Sequence, residues 1–187
     1  RRLAVEEAHF PPNEASVEQL NAFRTPAQRR LIFEEFFLFQ VGHAWRRHAT
    51  STELKPHALK VDDRIRASAA KVLPFKLTPG QKQAVKEIVE DMLLPKPMHR
   101  LLQGDVGAGK TIVALLAAIV AMENGLQAAF MAPTEILAAQ HYANIARLLA
   151  PSRLRVDLLT GSTPGQHKHT LLAHVERGTT HLVVGTH

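Results

Sequence analysis

Cysteine is absent from the 187 residues. That excludes disulfides, thiolate metal sites and a cysteine nucleophile. Long apolar runs are absent too. The longest, Ile112 to Met122, is too short to cross a bilayer, so no membrane partner is expected. The first residue is Arg1, with no charged-then-apolar signal segment after it, and the expectation is a chain that begins inside a longer protein. Glycine is scarce early: Gly42 alone lies before position 80. A large excess of one charge is also missing. The chain holds 23 Lys+Arg against 17 Asp+Glu, a net charge of +6. Residues 1–73 carry 12 basic and 9 acidic groups and residues 74–187 carry 11 and 8, so each part contributes +3 and there is no basic tail. Such a balance allows an anionic partner but does not by itself name one.

What is present fits a folded domain. Hydrophobic residues make up 45% and charged residues 21%, which excludes wholesale disorder. The composition shifts near Leu73-Pro74. Before it, Phe10, Phe23, Phe33, Phe36, Phe37 and Phe39 collect in a glycine-poor stretch; after it, glycines punctuate alternating elements. In the first part, Phe10-Pro11-Pro12-Asn13 breaks any helix, and Ser16 is placed to cap a short one over Val17 to Phe23. Thr25-Pro26 marks the start of a long helix to about His48, with Phe33, Phe37, Val41 and Trp45 recurring every four residues as core. Arg30 and Glu34 are spaced to pair. Residues 49–72 read as loop and short helix.

The second part alternates. A helix is expected over Gln81 to Leu93, then a strand at Leu101 to Gln103, a helix from Lys110 to Asn124 ended by Gly125, and a strand at Gln127 to Ala132. A helix over Thr134 to Leu149, a strand at Arg155 to Leu159, a helix over Gln166 to Arg177 and a strand at His181 to Val184 complete it. This is the order of βαβ units with a parallel sheet, hence an α/β fold.

One motif carries chemistry. Gly104-Asp105-Val106-Gly107-Ala108-Gly109-Lys110-Thr111 fits G-x-x-x-x-G-K-[ST], the phosphate loop. Its glycines let the backbone curl with N–H groups inward, Lys110 brings a charge for the β- and γ-phosphates, and the Thr111 hydroxyl suits Mg²⁺. The helix that follows aims its positive end at the anion. Hydrolysis also needs an acid at a later strand end, and no apolar run ending in paired acids occurs up to His187. His167 and His169 have no ligand cluster around them that would make a metal site.

With the loop in view, a family resemblance emerges. Pro97 to Thr111 resembles the first helicase motif of the RecG family, bacterial branched-DNA helicases of superfamily 2. Ala132-Pro133-Thr134-Glu135-Ile136-Leu137-Ala138-Ala139-Gln140-His141 is similar to the next motif. Thr160-Gly161-Ser162 and Gly185-Thr186-His187 are similar to the following two. Leu77-Thr78-Pro79-Gly80-Gln81 resembles the segment that recognises adenine, and Arg24 to Glu35 the piece joining the wedge domain to the motor. Ala108 and Ala139 stand where the family often has Ser and Glu.

The resemblance implies a partial RecA-like P-loop NTPase domain with a parallel sheet over 74–187, preceded by a helical connector over 1–73. It implies an ATP-dependent helicase of stalled forks and Holliday junctions, in the bacterial cytoplasm and monomeric, with ATP and Mg²⁺ as cofactors. Gln81 would read adenine, and Pro133, Thr134, Thr160, Gly161 and Thr186 would line a groove for the DNA backbone. The translocase that couples transcription to repair shares this motor, and a nucleotide-binding module without turnover is the other reading. The 187 residues alone are expected to lack ATPase activity.

Overall fold

The computed structural model describes residues 1–51 and 53–187. Its elements are α1 (Arg2–His9), α2 (Val17–Asn21), α3 (Pro26–Ser51), α4 (Asp63–Val72), α5 (Pro79–Leu93), α6 (Lys110–Glu123), β1 (Ala128–Met131), α7 (Glu135–Leu149), β2 (Val156–Leu159), α8 (Gly165–Glu176) and β3 (Leu182–Gly185). They form two compact units, Arg1–Leu54 and Lys55–His187.

In the first unit the polar signals at helix starts act as expected. Ser16 caps α2 by accepting the Gln19 N–H, at 3.3 Å. Thr25 and Gln28 cap α3 reciprocally: the Gln28 N–H donates to Thr25 Oγ1, and the Thr25 N–H and hydroxyl both donate to Gln28 Oε1. The unforeseen α1 packs on α3, and Glu34 takes ion pairs from Arg1 at 3.3 Å and Arg30 at 3.6 Å. The aromatic stripe departs from expectation. Phe33 and Phe37 stack at 5.7 Å, yet they are 61% and 53% exposed and Trp45 is 76% exposed. A short α1 covers one side of a 26-residue helix, and burying so broad an apolar face takes a second layer.

The second unit is built around α6. Its apolar run has two faces at helical spacing. Leu115, Leu116, Ile119 and Met122 join Leu182 and Val184 of β3 and Ile145 and Leu149 of α7 in one core. Val113 and Val120 turn the other way, onto Ile65 of α4 and Ile88 and Met92 of α5. A helix buried on both sides has no polar stripe, which is why Ile112 to Met122 is continuous. The sheet has three strands in the order β1-β3-β2, all parallel, with Met131 and Leu159 both in register with Gly185.

Most of the helices and strands expected after position 74 are present, with ends moved by one or two residues. The exception is Leu101 to Gln103. Among the described residues it pairs with no strand; Leu101 is 80% exposed and Leu102 packs against the α4–α5 core. A short apolar run does not name a neighbour, whereas a strand needs a ladder partner. Of residues 49–72, Thr52 lies outside the described residues, and α4 supplies the short helix. The break between compact units falls at Leu54–Lys55, ahead of the composition shift at 73–74. Residues 55–72 belong with the second unit because they are tied to it. Lys55 Nζ donates to the Met92 carbonyl at 2.7 Å, Asn124 exchanges two hydrogen bonds with the Lys60 backbone, and Ile65 and Val72 are 2% exposed.

Candidate nucleotide and nucleic-acid site

The phosphate loop runs from Gly104 into the first turn of α6. Gly107 and Gly109 have φ of 84° and 80°, a left-handed backbone that residues with a Cβ rarely adopt. The N–H groups of Gly109, Lys110 and Thr111 donate to no acceptor among the described residues. Three free donors at the positive end of a 14-residue helix are a ready anion cradle. Lys110 Nζ donates to the carbonyls of Gly104 and Asp105, both at 2.7 Å, so the ammonium folds across the loop mouth. Asp105, Val106 and Ala108 are exposed on the loop, while Lys110 and Thr111 are half-buried. Small backbone-lined space, free N–H groups, an ammonium and a hydroxyl fit a nucleotide polyphosphate and its metal ion.

Gln81 is brought to this loop from α5. Its Oε1 accepts the Thr78 N–H at 3.0 Å and closes a reciprocal cap at the start of that helix. Its Nε2 donates to the Ala108 carbonyl at 2.9 Å, and a Cβ on Gly109 would collide with that same nitrogen. One amide hydrogen stays available, since an amide nitrogen carries two. Arg100 steadies the approach to the loop: it donates to Asp91 and Glu87 of α5, each at 2.8 Å. The Arg100 hydrogen bond holds the Asp91 carboxyl below its ordinary range. Glu87 is held low by Gln83 first and by Arg100 second. Neither Arg100 nor the Gln81–Ala108 bond was legible beforehand. The Thr-x-x-Gln spacing at 78–81 was the signal for the cap.

The remaining candidates converge for a topological reason. Parallel strands end on one edge, and ladder register puts Met131, Gly185 and Leu159 side by side. Pro133 and Thr134 follow β1, Thr160 and Gly161 follow β2, and Thr186 follows β3, so all five lie along that edge. Thr134 caps α7 by accepting the Leu137 N–H at 3.3 Å. The Thr160 N–H donates to Thr163 Oγ1 at 2.9 Å and closes a tight turn. Glu135, at the first position of α7, reaches across to this turn. It accepts the Ser162 N–H at 3.0 Å and the Ser162 hydroxyl at 2.7 Å. Those bonds hold its carboxyl below the ordinary range, the hydroxyl first and the backbone N–H second. No spacing in the sequence signals this contact, because its partners are 27 residues apart.

The model of the DEAD/DEAH box helicase family matches residues 78–187. The chain is 43% identical over 185 residues to the ATP-dependent DNA helicase RecG of Aquifex aeolicus, covering 99% of the chain and 23% of that protein. It is 40% identical over 185 residues to the protein of the same name from Escherichia coli K12, covering 98% and 26%. A solved structure of RecG bound to a three-way DNA junction superposes with a TM-score of 0.76 and 41% identity, over 86% of this chain and 22% of that one. The chain thus spans about a quarter of the length of these relatives.

Proposed function

The chain belongs to the DEAD/DEAH box helicase family, and from that premise we propose that it is part of an ATP-dependent helicase that remodels branched DNA in recombination and repair. The observation that carries this reading is the pairing of a phosphate cradle with three strand ends on one compact unit. The first binds a nucleotide and the second offers hydroxyls and backbone to a nucleic-acid strand. Family membership implies ATP. Lys110 and the free N–H groups would hold the β- and γ-phosphates, Thr111 would hold Mg²⁺, and Gln81 would meet the adenine with its spare amide hydrogen. When bound, ATP supplies the free energy of its terminal phosphoanhydride. Pro133, Thr134, Thr160, Gly161 and Thr186 carry no charge, so they suit a grip on the phosphodiester backbone that positions without reading sequence. Stalled forks and Holliday junctions are the proposed substrates, as befits a likeness to a protein solved on a three-way junction. The site of action is the bacterial cytoplasm and the acting form a monomer.

Strand-displacement assays on the intact protein test the reading. Forked DNA is expected to be unwound faster than linear duplex of equal length. Lys110→Ala should abolish ATP hydrolysis and unwinding while DNA binding persists. Equal rates on forked and linear substrates would sink the branched-DNA assignment in favour of a general translocase, such as one coupling transcription to repair.

A further inference from the structure

Resting on the DNA reading above, we infer that Glu135 is a positioning residue that locks the Thr160–Thr163 turn to the start of α7, so that two strand-end motifs present one rigid surface to a nucleic-acid backbone. Both carboxylate oxygens are used. Oε1 takes the Ser162 N–H at 3.0 Å and Oε2 takes the Ser162 hydroxyl at 2.7 Å. The Ser162 Oγ lies 3.0 Å from Thr160 Oγ1, so the contact extends to a groove residue. Gly161 leaves the carboxylate room, since a Cβ there would stand 3.0 Å from Oε1. Thr134, next to Glu135, caps the same helix end. The turn and the helix start belong to different βα units, and this side chain joins them.

The placement is otherwise a paradox. An exposed carboxylate beside a surface meant for phosphates repels them, so a bystander at this position would weaken binding. The two roles predict opposite signs. If Glu135 only contributes charge, removing the charge tightens DNA binding whatever replaces it. If it positions the turn, the result depends on shape. Gln keeps the length, can accept the Ser162 N–H and can donate to the Ser162 hydroxyl. Asp keeps the charge but is one methylene short, and Ala has neither.

Fluorescence anisotropy with a labelled forked oligonucleotide, on the intact protein and its Glu135→Ala, Glu135→Asp and Glu135→Gln variants, separates them. The Ala and Asp variants should bind roughly tenfold more weakly, as when a turn released from its two charge-assisted hydrogen bonds holds the binding arrangement only about a tenth of the time. The Gln variant should bind at least as tightly as the parent. Affinity for a fluorescent ATP analogue should be unchanged in all three. Hydrogen exchange at the Ser162 amide should quicken in the Ala and Asp variants while β2 stays protected. Should the Ala variant lose its fold, the Asp variant decides. An Ala or Asp variant that binds DNA as tightly as the Gln variant overturns the inference and leaves the DNA reading standing. Failure of the unaltered protein to bind DNA overturns both.

Discussion

At Gly109 two demands meet on one residue. Its φ of 80° lets the loop turn into α6, and its missing side chain makes room for the Gln81 amide. A Cβ there costs about 1 kcal/mol or more in backbone conformation alone, and it also drives against Gln81 Nε2. Gly109→Ala should therefore raise the dissociation constant of a fluorescent ATP analogue roughly tenfold or more, and the same strain should lower the thermal midpoint by about 2–4 °C. Adding Gln81→Ala removes the collision but also the adenine contact, so the double variant should lose less affinity than the two single losses combined. Additive losses in the two variants would mean that Gln81 and Gly109 do not share this contact.

Between elements, Glu123 does the fastening. It ends α6, is 8% exposed, and accepts the Ser68 hydroxyl of α4 at 2.6 Å and Arg153 of the α7–β2 loop at 2.8 Å. The Ser68 bond, then Arg153, holds its carboxyl below the ordinary 4.5 against the opposing effect of burial. Asp157 joins β2 to Thr180 at 2.6 Å. Burial pushes its carboxyl up, but Arg155 and Thr180 outweigh it, and the net direction is down. A carboxyl depressed in the folded state stabilises above its unfolded pKa and loses that contribution as pH falls through the folded value. Urea midpoints should stay level between about pH 7 and 5 where these groups are concerned, and drop as pH passes below 4.5. Glu123→Gln should cost about 1 kcal/mol at pH 7, since Arg153 faces solvent and screens its share, and should flatten the acid limb. An unchanged acid limb in that variant would remove Glu123 as its source. The sequence announced such elements unevenly. Caps such as Ser16, Thr25 and Thr78 are local and were written in the chain. The pairing of Leu101 to Gln103 and the covering of Phe33 to Trp45 depend on partners, and periodicity carries no information about partners.

Over the whole molecule the candidate site was legible as pieces and not as a surface. The phosphate loop is a contiguous string whose conformation follows from its own glycines, so it could be read directly. The strand-end residues at 133–134, 160–161 and 186 sit together only because a parallel sheet in the order β1-β3-β2 aligns three separate strands. The tie through Glu135 needs that same sheet before it can exist. One consequence concerns charge. The net +6 is split evenly along the chain, and every strand-end candidate is uncharged. Hydroxyls and backbone groups hold phosphate without displacing its condensed counterions, whereas each Lys or Arg contact releases one. For single-stranded DNA the slope of log K against log salt is about −0.7 per neutralised phosphate. A polypeptide of these 187 residues should then show a shallow slope, about −2 or less in magnitude. Titrations of a labelled oligonucleotide over a series of salt concentrations measure it. A slope steeper than about −4 would assign the grip to lysines and arginines and take it away from the strand ends.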